Sequence, residues 1–183
     1  MAEAIKLICA GFGGQGVLTI GQMVALMGMK KDYLVSWMPS YGPEMRGGTA
    51  NCHVVISKTH QQSPIISNDM THLLAMNQLS YDKFIPQLQA DGWLISNAAL
   101  VKHEAFKQAI ALDFGRIASD IKQPKAANMA AFGALITTLD FFSDADGEWA
   151  IRERFKTLNL DLLEANIKAY YHAMEQVKIN HLV

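Results

Sequence analysis

Apolar residues in this chain form short, strand-like runs separated by stretches with helical spacing. The run Ile5-Lys6-Leu7-Ile8-Cys9-Ala10 flows directly into Gly11-Phe12-Gly13-Gly14-Gln15-Gly16-Val17, a pattern of strand, tight glycine turn and helix start. From Leu18 to Met29 apolar positions recur at helical intervals, interrupted by Gly21 and Gly28. Gly21 lies on the helix and would allow close approach to a strand. Gly28 sits where a C-terminal glycine cap is expected. Tyr33 to Trp37 predicts a second strand, and Met38 to Thr49 a long loop with two prolines and three glycines. Ala50 to Ser57 is β-branched, and its partial alternation suggests a sheet edge or a half-covered face.

Further along, His72–Met76 and Gly92–Ser96 read as short buried strands, with a helix from Gln78 to Leu88 between them that ends around Pro86. Ala109–Leu112 fits a last strand, although Phe106 to Ile110 also suits a helix. A helix from Phe114 to Ile121 follows. Ala126 to Phe142 is apolar nearly all round and predicts a buried helix. Glu148 to Val177 reads as two amphipathic helices parted near Asn159. The expected fold is a single α/β domain over residues 1–183. It is Rossmann-like, with a mostly parallel sheet, helices on both faces and two C-terminal amphipathic helices. A hairpin-like insertion around residues 35–57 would add an antiparallel element.

Composition narrows the function. The chain has 183 residues, half of them hydrophobic, and a net charge of -1. No basic field is available for nucleic acid or an anionic membrane. The longest apolar runs fall short of a membrane span, and Met1-Ala2-Glu3-Ala4 lacks a basic signal-peptide start. A cytoplasmic address is therefore expected. Two cysteines, Cys9 and Cys52, are too few for a four-thiolate iron–sulfur cluster. Cys9 lies on an expected buried strand and reads as a small hydrophobe.

The glycines at 11, 13 and 16 fit G-x-G-x-x-G, in which backbone N–H groups and a helix N-terminus face an anion. A dinucleotide site also needs an acid at the end of the second strand. Asp32 has about the right separation but stands before that strand, and Ser36-Trp37-Met38-Pro39 at its end offers none. The motif alone is weak evidence for NAD(P). Gln15 brings an uncharged donor and acceptor to the helix start. A second unusual stretch, Tyr41-Gly42-Pro43-Glu44-Met45-Arg46-Gly47-Gly48-Thr49, sets Arg46, with its five donors, among turn-forming residues. Sheets of the expected kind bind ligands beyond the carboxyl ends of their strands, where both glycine segments would lie.

Taken together, Gly11 to Val17, Ser40 to Ala50 and Asn128-Met129-Ala130-Ala131-Phe132-Gly133-Ala134-Leu135 resemble the gamma subunit of 2-oxoacid:ferredoxin oxidoreductases. The short Gly-Phe-Gly-Gly-Gln-Gly form is nearest the 2-oxoglutarate branch. The resemblance implies an assembly that decarboxylates a 2-oxoacid onto coenzyme A and passes two electrons to ferredoxin. Thiamine diphosphate with Mg and [4Fe–4S] clusters would lie on partner subunits, alpha and beta with or without delta. It implies no catalytic or metal-ligating residue on this chain. Gly13, Gly14 and Gly16 would shape an anion-facing turn, and Gln15 would contact a ligand or a neighbouring subunit. Arg46, Gly47, Gly48 and Thr49 would meet a partner or a coenzyme A phosphate. Asn128 would cap its helix, take a core hydrogen bond or face the same cleft. An exposed phosphate gains only ~0.3–1 kcal/mol from one helix dipole, and a charge-assisted arginine bond contributes ~1.5–3 kcal/mol. A composite site, completed by another subunit, is the expectation. A stand-alone nicotinamide or flavin oxidoreductase is the alternative.

The remaining candidates have plainer explanations. His53 and His72 lack an acidic or metal-site partner in sequence. Asp144 and Asp146 suit a helix cap, and Tyr170-Tyr171 suits packing.

Overall fold

The computed structural model describes residues 4–42, 48–60 and 62–181. β1 (Ala4–Phe12) leads into α1 (Val17–Lys30), β2 (Leu34–Tyr41), β3 (Thr49–Ser57), β4 (Met70–Ala75) and α2 (Gln78–Phe84). A 3₁₀ turn at Ile85–Gln87 precedes β5 (Leu88–Asn97), β6 (Ala109–Leu112) and α3 (Phe114–Asp120). After a second 3₁₀ turn come α4 (Ala127–Ile136), α5 (Asp144–Arg154) and α6 (Leu160–His181). The six strands form one sheet in the order β2-β3-β1-β4-β5-β6. β3 is antiparallel to both neighbours, while β1, β4, β5 and β6 run parallel. The sheet is mostly parallel, as expected, and the antiparallel insertion is present.

Its location differs from the expectation in one respect. β3 is not an edge or half-covered strand but lies between β2 and β1, and Ala50, Cys52, Val54, Val55 and Ile56 are all buried. The edge is β2, which extends through Pro39 to Tyr41, into the stretch expected to be loop. Gly42 N–H donates to the Thr49 carbonyl at 3.3 Å. That rung sets even-numbered β2 residues toward β3 and turns the nitrogen of Pro39 outward, where no ladder bond is lost.

One face of the sheet carries Leu7, Cys9, Val54, Ile56, Leu74 and Ile95 against α1, α3, α4, α5 and α6. The other carries Ile8, Ala10, Val55, Leu73 and Leu94 under Phe84 of α2, Ile66 and Phe106. Both faces are covered, one of them by a single short helix and connecting segments. Gly21 brings α1 onto β3, since a Cβ there would meet Cys52 Sγ. Gly28 is not the cap. A Cβ there would stand 2.7 Å from Val35 Cγ2, so its absence makes room for Val35, and the left-handed residue after the helix is Asp32 at φ 56°.

The buried helix is shorter than expected, stopping at Ile136 rather than Phe142. Thr137 and Thr138 bond back to the carbonyls of Ala134 and Leu135 at 2.8 and 2.7 Å, and the Thr138 carbonyl accepts from His72 Nε2 at 3.1 Å. These bonds take up the carbonyls that further helical turns would use. The two C-terminal helices are present, parted at Asn159 as expected, with α5 starting earlier, at a Ser143–Asp146 capping box. Tyr170 is wholly buried, and its hydroxyl donates to the Asp144 carbonyl at 2.8 Å.

A Cβ on Gly133 would run into the backbone carbonyl of Tyr170, so α4 and α6 touch only because that atom is missing. Gly133→Ala should cost ~1–3 kcal/mol or more by overpacking and lower the melting temperature by roughly 5 °C, read by thermal unfolding. His72 is buried with both ring nitrogens occupied, by Thr71 Oγ1 at 2.8 Å and Thr138 O. Burial pulls its pKa from 6.5 down to about 4. The unfolded chain therefore takes up this proton at a higher pH than the folded one. The contribution, on the order of 3 kcal/mol, is complete above pH 6.5 and lost as pH falls toward 4. Denaturant titrations across that window should show the slope, and His72→Gln, which keeps a donor for Thr138, should flatten it.

Candidate functional site

β1 ends in the glycine turn because Gly14 and Gly16 adopt φ of 98° and 76°, the left-handed region that side chains disfavour. Gly16 is the residue before α1, which has no side-chain cap and no acid in its first turn. Gly14 is exposed, and nothing lies within 4 Å of where its Cβ would be. The helix start thus presents backbone N–H groups with no carboxylate competing for them.

The second glycine segment reaches the same place. Gly13 N–H donates to the Gly48 carbonyl at 2.8 Å, extending the β1–β3 ladder past Phe12–Thr49 into both turns. Thr49 is exposed at the start of β3. Asn128 arrives from the first turn of α4. It makes no cap bond there, and its side chain lies against Gly16, where a Cβ would sit 2.5 Å from Nδ2. The structure therefore gathers Gly13, Gly14, Gly16, Gly48, Thr49 and Asn128 at the carboxyl end of β1. Arg46 and Gly47 lie outside the described residues.

Gln15 is there too, but its side chain turns inward. Its Oε1 accepts from Phe12 N–H at 2.7 Å and from Asn77 Nδ2 at 3.1 Å, and its Nε2 donates to the Met76 carbonyl at 3.3 Å. Asn77 also caps α2, its Oδ1 accepting from Ser80 N–H at 2.9 Å. Sequence reasoning passed over Asn77, although an Asn between an apolar strand and a helix carries the N-cap signature. A cavity of about 230 Å³ next to Asn128 is lined by Gln123, Lys125, Phe155, Leu158 and Asn166 among others. Lys125 and Gln123 were not foreseen either, because nothing in their local sequence marks them.

Among the described residues gathered at the glycine turn none is ionisable near neutral pH. The turn can hold an anion or an amide through N–H and carboxamide groups, but those residues supply no general acid or base. Cys9 and Cys52 stand opposite each other across β1 and β3, both fully buried. Burial raises the Cys9 thiol well above the usual range, while a hydrogen bond from Cys9 lowers that of Cys52. They sit in the core under α1 and are no part of the turn. No group of three His, Cys, Asp or Glu among the described residues is placed to hold a metal ion.

The fold is thus an open α/β sheet with paired glycine segments at the carboxyl end of its first strand, where sheets of this class ordinarily take ligands. The chain belongs to the pyruvate ferredoxin/flavodoxin oxidoreductase family, whose model matches residues 6–176. It is 35% identical over 171 residues to ketoisovalerate oxidoreductase subunit VorA of Methanothermobacter marburgensis, covering 88% of this chain and 35% of that longer one. It is 33% identical over 161 residues to 2-oxoglutarate synthase subunit KorC of Methanocaldococcus jannaschii, covering 82% of each. The gamma subunit of a keto/oxoacid ferredoxin oxidoreductase from Geobacter sulfurreducens superposes with a TM-score of 0.78 at 27% identity, over 93% of this chain and 96% of that one. The fold also matches, at TM-score 0.84 and 18% identity, a 2-oxoglutarate:ferredoxin oxidoreductase chain from Magnetococcus marinus. That structure holds 2-oxoglutarate, coenzyme A and succinyl-CoA, and the match covers 98% of this chain and 32% of that one.

The two positive-φ glycines should separate in a stability assay. Gly16→Ala meets both backbone strain and Asn128, whereas Gly14→Ala meets strain alone. Chemical denaturation should show Gly14→Ala costing about 1 kcal/mol and Gly16→Ala at least ~2 kcal/mol.

Proposed function

We propose that this chain is the gamma-type subunit of a 2-oxoacid:ferredoxin oxidoreductase, in which it forms one wall of the coenzyme A cleft and part of the subunit contact. The assembly would decarboxylate a 2-oxoacid oxidatively onto coenzyme A and pass two electrons to ferredoxin. The observation that carries this reading is the Gly13–Gly48 junction. It joins two glycine segments beside an uncapped helix N-terminus, and among the described residues no ionisable group stands at the turn itself, Lys125 lying in the adjoining cavity. Such a wall binds but does not catalyse, which fits a subunit that works against others.

The donor set on this chain fits coenzyme A's phosphates and amides through the first turn of α1, Asn128 and Thr49, with Arg46 and Gly47 as further candidates. It does not fit the redox cofactors. The two thiols are buried against each other and cannot supply the four-thiolate set of a [4Fe–4S] cluster. We assign thiamine diphosphate, Mg and the clusters to alpha and beta partners, with or without delta. The substrate is 2-oxoglutarate or a related acid. Coverage of 82% of the 2-oxoglutarate synthase subunit supports the former, and the slightly higher identity to the ketoisovalerate subunit supports a branched acid. No helix among the described residues is long and apolar enough to cross a membrane, and we place the assembly in the cytoplasm. A nicotinamide site is less well supported. β2 ends in Pro39-Ser40-Tyr41, without the acid that a ribose diol requires.

An affinity-tagged copy expressed in the native cell should bring down thiamine- and cluster-bearing subunits. Quantitative recovery of the free chain would contradict the assignment. Within the purified complex, Gly14→Asp places a carboxylate at the open lip of the turn. The KM for coenzyme A should rise roughly tenfold, equivalent to ~1.4 kcal/mol, while the KM for the 2-oxoacid stays put. An unchanged KM for coenzyme A would remove it from this wall.

A further inference from the structure

β1 and β4 are adjacent and parallel, yet the chain leaves them in opposite directions. After β1 it runs through α1 on one face to β2, and after β4 through α2 on the other face to β5. The gap between their carboxyl ends is the switch point of an open α/β sheet, where ligands ordinarily enter. In this protein a side chain of the protein itself spans that gap.

The ladder between the two strands continues beyond β4, with Met76 N–H donating to the Ala10 carbonyl at 2.9 Å. The next donor on β1 is Phe12 N–H, and the carbonyl that receives it is Gln15 Oε1, at 2.7 Å. The Gln15 side chain thus supplies the rung that β4 no longer provides. It is fixed there by its bonds to Met76 O and Asn77 Nδ2, and Asn77 is itself fixed by capping α2. Gly11 leaves the room, since a Cβ on it would stand 2.7 Å from Gln15 Oε1. The same Cβ would stand 2.9 Å from Val17 Cγ1 and 3.0 Å from Met76 Cβ, so the first glycine of the motif is explained by close packing that includes Gln15.

We infer that Gln15 is a positioning residue that closes the β1–β4 switch point and sets the backbone of Phe12 to Gly16 for ligand binding on its outer side. The inference rests on the coenzyme A reading above. It assigns the anion to the lip formed by Gly14, Thr49 and Asn128, and excludes it from the crevice between the strands. It also ties the α2 N-terminus mechanically to the glycine turn through one carboxamide.

The test uses the assembled complex and two variants. Gln15→Met keeps the length of the side chain and removes all three hydrogen bonds. Asn77→Asp keeps the cap on Ser80 and removes only the donation to Gln15, so it serves if Gln15→Met does not assemble. For Gln15→Met, amide exchange at Phe12 should quicken at least tenfold. The KM for coenzyme A should rise about tenfold with a smaller change in kcat, and Asn77→Asp should give a weaker version of both. Faster exchange with an unchanged KM would reduce Gln15 to a structural role and overturn the inference. A raised KM with unchanged exchange would overturn it in the other direction, by making Gln15 a direct ligand contact. If Gly14→Asp leaves the KM for coenzyme A unchanged, the cleft reading falls instead. The exchange rate at Phe12 then decides alone whether Gln15 closes the switch point.

Discussion

The antiparallel pairing of β1 with β3, from Ala4–Ser57 to Phe12–Thr49, is the constraint on which the rest of the structure depends. β1 is hydrogen-bonded on both sides, to β3 in one direction and β4 in the other, and Leu7 to Ala10 are fully buried on both faces. A parallel neighbour in place of β3 would put the start of the incoming strand at the opposite end of the sheet. Because β3 runs backwards, its first residues meet the last residues of β1, and the two glycine segments arrive at one place. The Gly13–Gly48 bond is the final rung of that pairing, and it makes a single site out of segments more than thirty residues apart in sequence.

The same geometry explains why the site has the chemistry it has. Backbone N–H groups at an uncapped helix start, a carboxamide from α4 and a hydroxyl from β3 can bind charge without carrying any. In the proposed assembly, selectivity and catalysis come from the other subunits. In the proposed role as one wall of a cleft, the turn's tolerance to substitution should follow backbone conformation more than side-chain identity. The buried groups serve stability. His72 sits at the opposite end of β4 from the site with both ring nitrogens satisfied, and the Cys9–Cys52 pair is packed beneath α1.

Much of this was legible in the residues. The strand–turn–helix at 5–17, the alternation that follows and the C-terminal helix pair are all local patterns, and local patterns survive into the fold. The departures have non-local causes. β2 continues through Pro39 because that nitrogen faces an unpaired edge, which no window of sequence reveals. The buried helix stops at Ile136 because two threonines bond back along it and His72, 66 residues away, takes the Thr138 carbonyl. Gln15 looked like an outward donor at a helix start. Its three bonds include two to residues more than sixty positions away, so its direction could not be read from its neighbours. Asn128 had three local readings open, and only its contact with Gly16 places it at the turn.

The central claim is that the glycine turn of this chain faces coenzyme A within a complex that other subunits complete. Hydrogen–deuterium exchange on the intact complex, with and without coenzyme A, tests it most directly. The account predicts slower exchange on coenzyme A binding at the amides from Gly13 to Thr19 and at Thr49, and no such protection when the isolated chain is given the same ligand. Protection confined to other subunits, with these amides unchanged, would contradict it.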